Sequence, residues 1–178
     1  MQTHTCNDSS SAANFTTWIG TGGHGCVPDS GVELETDVLF GPLPGGLLAT
    51  PTHVIHVRAE PLTTNPLGGA EQSGIVQVFA PPNTGPNRVV VSVWVYVVRG
   101  SVATGVGNSG STGTNIPNTK TGEWEQLIGV NEGTPANQFA LYSTAVGGSE
   151  FYADDAVVCP ADTELELTAC QVYVRQSR

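Results

Sequence analysis

Positive charge is scarce in this sequence. Only 6 Lys and Arg stand against 16 Asp and Glu among 178 residues, which gives a formal net charge of −10. A field of that sign repels phosphate backbones and anionic lipid headgroups. We therefore expect neither nucleic acid nor a membrane surface as a partner. Neutral glycans, divalent cations and basic patches on other proteins remain open.

Long apolar runs are also missing. Residues 1–20 contain no basic stretch followed by an apolar one, and no apolar run approaches the roughly 20 residues of a membrane-spanning helix. The sequence predicts a chain that starts at Met1 without a secretion signal.

Catalytic motifs are absent as well. The sequence has no nucleophile elbow, phosphate-binding loop, dinucleotide-binding glycine turn or HExxH motif. The carboxylates of Asp154 and Asp155 are adjacent, and adjacent residues in a strand point to opposite faces. We expect no enzyme and no cofactor other than a structural ion.

Glycine and proline, by contrast, are plentiful, at 22 and 12 residues, and are scattered without a repeat. Valine, threonine and aromatic residues fill the stretches between them, which is typical of short strands joined by turns. The length suits one domain. The prediction is an all-β sandwich of two antiparallel sheets over residues 14–178, preceded by a polar arm at residues 1–13.

The strand candidates follow one another without an amphipathic helix between them. They are residues 14–18, 32–40, 53–60, 74–80, 88–99, 123–130, 138–144, 150–158 and 164–174. Residues 100–119 are rich in Gly, Ser, Thr and Asn and carry no charge before their end, so we expect a mobile or functional loop there.

The segment 88–99 has the clearest alternation. One face of this strand consists of Val89, Val91, Val93, Val95 and Val97, and its opposite face carries Ser92, Trp94 and Tyr96. Five β-branched residues on one side predict a core face. The large aromatic side chains on the other side either pack against another part of the protein or bind a ligand.

Several short motifs occur in an order that resembles carbohydrate-binding modules of families 4, 9 and 22. They are Val91-Ser92-Val93-Trp94-Val95-Tyr96-Val97, Gly100-Ser101-Val102, Gly122-Glu123-Trp124-Glu125-Gln126-Leu127 and Glu150-Phe151-Tyr152-Ala153-Asp154-Asp155-Ala156-Val157. The resemblance covers about half of the chain. It implies a jelly-roll β-sandwich.

The resemblance also implies a glycan site. Trp94 and Tyr96 would form the stacking platform, and Ser92 or Gln77 would supply hydrogen bonds to sugar hydroxyls. The tryptophan that matches Trp124 is usually buried in those modules, so we expect a structural role for it. A neighbouring subunit, or the loop at 100–119, would cover the same aromatic face equally well.

A structural calcium ion is a further implication. Asp155 matches an aspartate that often joins a calcium site in those modules, and its partners here would come from Glu33, Glu35 or Asp37. The alternative is that Asp154 and Asp155 cap a turn or accept hydrogen bonds from backbone amides.

Four cysteines lie near the two ends of the chain. They are Cys6, Cys26, Cys159 and Cys170. Disulfides within each end, or between the two ends, would hold the termini of a sandwich in place. His-x-Cys occurs twice, at His4 and His24, but this spacing matches no usual zinc framework.

Two functions fit these features. The first is a phage virion protein that decorates or cements the capsid, because such a protein needs no secretion signal. It would bind the major capsid protein at the virion surface as a homo-oligomer, with a trimer favoured, using the polar arm and the loop for contacts. The alternative is an extracellular carbohydrate-binding module that stacks glycan rings on Trp94 and Tyr96.

Overall fold

Alternating apolar and polar residues produce eleven short strands in the part of the chain that the structure, a computed structural model, describes. The strands form two antiparallel sheets, which confirms the predicted all-β sandwich. The described residues are 16–21, 32–40, 52–59, 71–81, 83–108, 111–112 and 116–176. The predicted polar arm at residues 1–13 lies outside them.

The first sheet, called sheet I, contains six strands in the order β1-β4-β10-β6-β7, and β8 pairs with β6 as well. The strands are β1 (Thr16–Thr21), β4 (Glu71–Val78), β6 (Val102–Asn108), β7 (Ser111–Thr112), β8 (Ile116–Pro117) and β10 (Gln138–Ser143).

The second sheet, called sheet II, contains five strands in the order β2-β3-β11-β5-β9. The strands are β2 (Val32–Phe40), β3 (Thr52–Ala59), β5 (Arg88–Arg99), β9 (Trp124–Glu132) and β11 (Ser149–Ala161). The longest strands, β5 and β11, pair at the centre of this sheet.

The core lies between the two sheets, and the inward face of β5 forms much of its sheet II side. The five alternate valines from Val89 to Val97 are at most 1% exposed, which confirms the predicted core face. Phe139 and Leu141 of sheet I are fully buried in the same cluster. Each fully buried side chain of this size contributes roughly 1.5–3 kcal/mol to folding.

One helix, α1 (Glu164–Gln176), stands where the sequence predicted a strand at 164–174, so that prediction is wrong. The alternation of Glu and Leu from Glu164 to Leu167 resembles a strand, but a capping box sets a helix instead. Glu166 N–H donates to Thr163 Oγ1 at 3.2 Å, and Thr163 N–H donates to Glu166 Oε2 at 3.0 Å. The buried Leu167 and Cys170 then pack α1 on the outer face of sheet II.

The predicted loop at 100–119 is also corrected. It contains β6, which pairs with β10 inside sheet I and is buried along nearly its whole length. Val102 and Val106 alternate toward the core with the buried Thr104 between them. The intervening residues Ala103, Gly105 and Gly107 are small, so in the sequence this strand resembles a flexible connection.

Strand β11 carries an irregularity between Asp154 and Val157, where its pairing with β5 shifts. Asp155 has a φ of 49° there, and its N–H donates to Asp154 Oδ1 at 2.8 Å. A non-glycine residue at positive φ is typical of a bulge, and Asp tolerates it better than most residues.

Candidate functional site

The outer face of sheet II, which points away from the core, carries the aromatic residues of β5. Helix α1 covers one end of this face, where Val90, Ile128 and Val130 pack with the buried Leu167. The other end is not covered by α1. The candidate site is therefore the part of the outer face between α1 and the far ends of the strands.

Four rings cross this part of the face in a line, and we call them the aromatic row. His56 of β3, Tyr152 of β11, Tyr96 of β5 and Trp124 of β9 are direct cross-strand partners, each with the next. Direct partners in an antiparallel sheet point to the same side. The row thus spans four neighbouring strands.

The rings of the row are in mutual contact. His56 stacks on Tyr152 with centroids 4.4 Å apart and planes 14° apart. Tyr96 meets Tyr152 and Trp124 edge to face, with centroid distances of 6.4 Å and 5.7 Å. Such contacts add about 0.5–1.5 kcal/mol per pair beyond burial, so they fix the ring positions before any ligand arrives.

Exposure differs along the row. Trp124 is 6% exposed and His56 5% exposed, so both mainly support their neighbours. This burial agrees with the structural role that the family resemblance implies for Trp124. Tyr96, Tyr152 and the adjacent Trp94 are only partly buried and pack in the same cluster. These three side chains offer the accessible aromatic surface.

Trp94 lies one step closer to α1 than Tyr96 and has a polar residue on each side. Its direct cross-strand partners are Asp154 of β11 and Gln126 of β9. Both of these side chains are partly buried. A carboxylate and an amide beside an aromatic ring are the groups that commonly orient a sugar through its hydroxyls.

The structure does not place the two predicted hydrogen-bonding residues beside this aromatic surface. Ser92 is on the same face, but it is 1% exposed, and its partners Ile128 and Val157 pack in the cluster under α1. Gln77 belongs to sheet I, opposite the core residue Phe139. The polar residues beside Trp94 are instead Asp154 and Gln126.

A charged group lies beside the row, on the side that faces away from α1. Glu150 of β11 contacts His56 Nε2 at 3.0 Å, Arg58 Nε at 3.4 Å and Arg99 Nε at 3.6 Å. The Glu150 side chain is 21% exposed, whereas the two arginines are about half exposed. Glu150 thus connects the aromatic row, through His56, to two cations at the surface.

The ionisation of Glu150 depends on these neighbours. Burial raises the pKa of Glu150, but hydrogen bonds from His56 and Arg58 and the positive charge of Arg58 lower it, and the net pKa lies below the ordinary value. The carboxylate is therefore the form that the folded protein favours.

The structure does not test the predicted calcium site, because the side chains of Glu33, Glu35 and Asp37 lie outside its described part. Among the described residues, no group of three His, Cys, Asp or Glu residues could hold a metal ion, and Asp155 is exposed in the β11 bulge. The side chain of Asp154 accepts a backbone hydrogen bond, as the alternative to calcium proposed. A calcium ion at Asp155 stays a prediction.

Among the four cysteines, Cys159 and Cys170 form a disulfide, which ties α1 to β11. The other two, Cys6 and Cys26, lie outside the described residues, as do His4 and His24. The bond closes a short segment, since 11 positions separate its cysteines. It holds α1 against the end of the outer face.

Sequence reasoning found Trp94 and Tyr96 but missed most of their neighbours. The missed residues are His56, Gln126, Glu150, Tyr152 and Asp154. Alternation within β11 could have placed Tyr152 outward, because Phe151 and Ala153 are typical core residues. No local signal could have shown that β3, β11, β5 and β9 are neighbours.

Comparison with sequences identifies no relative. No protein-family model matches the chain, and no curated protein sequence matches it.

Comparison with solved structures does find similar folds. An exo-β-agarase superposes with a TM-score of 0.53 at 9% identity, over 84% of this chain and 23% of the agarase chain. A family 11 carbohydrate-binding module of a Clostridium thermocellum cellulosomal cellulase gives 0.50 at 12% identity, over 86% of this chain and 92% of the module. The fold is the jelly roll of carbohydrate-binding modules.

The jelly roll is thereby confirmed as the architecture that the sequence motifs implied. A bacteriophage CBA120 tailspike enzymatic domain superposes with a TM-score of only 0.43 at 12% identity, over 82% of this chain and 19% of the tailspike domain. That similarity is too low to support a phage function. Within the described residues, no helix is long and apolar enough to cross a membrane.

Proposed function

We propose that this protein is a non-catalytic glycan-binding module that stacks sugar rings on the outer face of sheet II. The aromatic row carries the proposal, because it holds the partly exposed rings of Tyr96 and Tyr152 in fixed positions on two neighbouring strands, between the buried His56 and Trp124. Aromatic faces bind the apolar faces of sugars, and the polar groups of a site read the hydroxyls.

The spacing of the row suits an extended oligosaccharide. Neighbouring strands lie about 4.8 Å apart, which is close to the length of one pyranose unit. Ring centroids along the row are separated by 4.4, 6.4 and 5.7 Å. A glycan that crosses the strands would therefore place successive sugars over Tyr152 and Tyr96, and Asp154 and Gln126 would hydrogen-bond to the sugar over Trp94.

The two carboxylates of β11 on this face do not have the geometry of a glycosidase pair. Asp154 and Glu150 are the carboxylates of β11 on this face, and four strand residues separate them by about 13 Å. Glycosidases need two carboxyl groups roughly 5 to 9.5 Å apart across the scissile bond. Neither retaining nor inverting geometry is available to this pair.

An extracellular place of action fits the proposal. Disulfides form and persist in oxidising compartments, and this chain has one between Cys159 and Cys170. The capsid-decoration hypothesis, with its virion location and trimer, gains no support from fold similarity and stays the less favoured prediction.

The proposal is tested on a glycan array, followed by titration calorimetry with the best oligosaccharide. We expect micromolar binding for the wild type and at least about ten-fold weaker binding for Tyr96→Ala, because partly buried aromatic residues dominate such sites. The matched control is Tyr173→Ala, since Tyr173 is 57% exposed on α1, away from the row.

Two results would overturn the proposal. Folded wild-type protein that binds no glycan on a broad array would exclude it. So would binding that Tyr173→Ala weakens as much as Tyr96→Ala does.

A further inference from the structure

Trp94 and Tyr96 of β5 form two corners of a rectangle on the outer face of sheet II. The other two corners are Asp154 and Tyr152 of β11, which are their direct cross-strand partners. Direct partners lie about 5 Å apart, and residues two positions apart along a strand about 7 Å. All four side chains are partly exposed. The rectangle thus sets one carboxylate beside three aromatic rings, over an area close to that of one sugar unit.

The carboxylate of Asp154 is held in place by the β11 bulge. Its Oδ1 accepts a hydrogen bond from Asp155 N–H at 2.8 Å. A carboxylate can accept about four hydrogen bonds, so a ligand can add to those that the protein makes. Asp155 follows directly and is exposed, so a second negative charge lies close by.

The arginines on this side of the sheet lie away from Asp154. Arg58 and Arg99 both contact Glu150, which is four residues before Asp154 on β11, or about 13 Å along the strand. At physiological ionic strength the screening length is about 8 Å, so these cations act weakly at Asp154.

The group around Glu150 also has no excess of positive charge. The β2–β3 register places Glu33 opposite Arg58 and Glu35 opposite His56. Direct partners belong to the same face of a sheet. Three acidic residues therefore match Arg58, Arg99 and His56 even when the histidine is charged, and Asp154 makes the outer face negative.

A positively charged ligand fits this combination of groups. Cations bind the faces of Trp and Tyr rings within about 6 Å of the ring centre, and Trp binds them best. An ammonium group also donates strong, charge-assisted hydrogen bonds to a carboxylate. Because Trp94 and Asp154 are direct partners, one ammonium group can make both contacts. The formal net charge of −10 attracts such a ligand as well.

We propose that the glycan of this site is an amino-sugar polymer, and that Asp154 binds its protonated amine while the sugar ring stacks on Trp94 or Tyr96. This inference rests on the proposed function and narrows it to glycans that carry positive charge. Gln126, the partner of Trp94 on β9, would bind a hydroxyl group of the same sugar.

The test compares three oligosaccharides by titration calorimetry. Hexamers of β-1,4-linked glucosamine, N-acetylglucosamine and glucose share one backbone and differ only in the group on carbon 2, which is an amine, an acetamide or a hydroxyl. The measurement is made at about pH 5.5, where the amine is protonated and an ordinary aspartate is ionised. We expect the wild type to bind the glucosamine hexamer about ten-fold tighter, or more, than either neutral hexamer.

Asp154→Asn should abolish this preference and change the affinity for the glucose hexamer by no more than about two-fold. Asparagine keeps an Oδ1 acceptor for Asp155 N–H, so the bulge is preserved. The matched control is Asp162→Asn. It makes the same substitution roughly 20 Å away, just beyond the end of β11, and should retain the preference.

The other outcomes overturn the inference in different ways. Equal affinity for the three hexamers would refute it but leave the glycan-binding function intact. A preference that persists in Asp154→Asn would refute the role of Asp154. Equally tight binding of polylysine, which has no sugar ring, would show plain charge attraction and also refute the inference. Failure of folded protein to bind any hexamer would refute it as well, whereas the proposed function falls only if the broad glycan array is negative too.

Discussion

At the scale of single residues, Glu150 links the stability of sheet II to the geometry of the candidate site. It lies on β11, accepts hydrogen bonds from His56 and Arg58, and approaches Arg99. His56 in turn stacks on Tyr152. Loss of the carboxylate would remove one of the contacts of the His56 ring, so Tyr152 would lose part of its support.

This arrangement predicts a pH-dependent effect of Glu150→Gln. The net pKa of Glu150 is below its ordinary value in the folded state, so folding favours the ionised form. The resulting stability is present above the ordinary pKa and is lost as pH falls through the folded-state pKa. We expect Glu150→Gln to lower the free energy of unfolding by about 1 kcal/mol at pH 7, with little difference at pH 3.

Urea denaturation at the two pH values measures the effect. Glu123→Gln is the control, because Glu123 is 61% exposed and pairs only across the surface with Lys120. Its effect should be small. A loss for Glu150→Gln that is the same at pH 3 as at pH 7 would contradict the electrostatic explanation.

At the scale of elements, α1 determines how much of the outer face of sheet II is accessible. It packs over Val90, Ile128 and Val130, whereas the residues of the aromatic row belong to a separate cluster. The disulfide between Cys159 and Cys170 and the capping box at Thr163 both hold the helix in this place.

The capping box predicts the result of a matched pair of threonine variants. Thr163→Ala removes the N-cap acceptor of Glu166 N–H and should cost about 1 kcal/mol. Thr168→Ala removes only a bond to Glu164 O within the exposed helix and should change stability by less than about 0.5 kcal/mol.

Chemical denaturation of both variants gives these values. Equal losses would show that the capping box does not set the start of α1.

The elements that the sequence predicted are those whose signal is local. In β5, every second residue is a core valine, so both the strand and its aromatic outer face were predicted from Val89 to Val97. In α1, the Glu-Leu alternation misled the prediction, although Thr163 and Glu166 carried a helix signal. In β6, small residues concealed the alternation of Val102 and Val106.

The site was predictable only in part, for a similar reason. Trp94 and Tyr96 share a strand and could be found together. His56, Tyr152 and Trp124 join them through the strand order β3-β11-β5-β9, in which sequence-distant strands are neighbours. No spacing along the chain encodes that order.

At the scale of the whole molecule, both sheets bury their inner faces in one core. The inward residues of β5 and β11 from sheet II meet those of β6 and β10 from sheet I in a single cluster. Among the described residues this cluster is the largest, and the smaller cluster on sheet I, which consists of Val76, Ala103, Ala140 and Tyr142, lies on strands that also contribute to it. The two sheets should therefore unfold together.

Because the core is shared, we predict a single thermal transition. We also expect a glycan ligand to raise its midpoint temperature, Tm. A ligand at 100 times its Kd stabilises the folded state by about 2.7 kcal/mol. For a domain of this size, that corresponds to a rise in Tm of roughly 5 to 10 °C. Scanning calorimetry with and without the best oligosaccharide measures it.

The variant Tyr96→Ala should unfold in one transition as well, and because its binding is about ten-fold weaker, its Tm should rise by about half as much or less at the same ligand concentration. Two separate transitions in the wild type would show that the sheets are energetically independent and would contradict the prediction.

Strand β5 divides its two tasks between alternate positions. The inward valines maintain the fold, and the outward Trp94 and Tyr96 belong to the candidate site. Substitutions at 94 and 96 therefore leave the core contacts of their neighbours in place. Under the proposed function, the specificity of this surface can change one outward position at a time while the inherited scaffold stays constant.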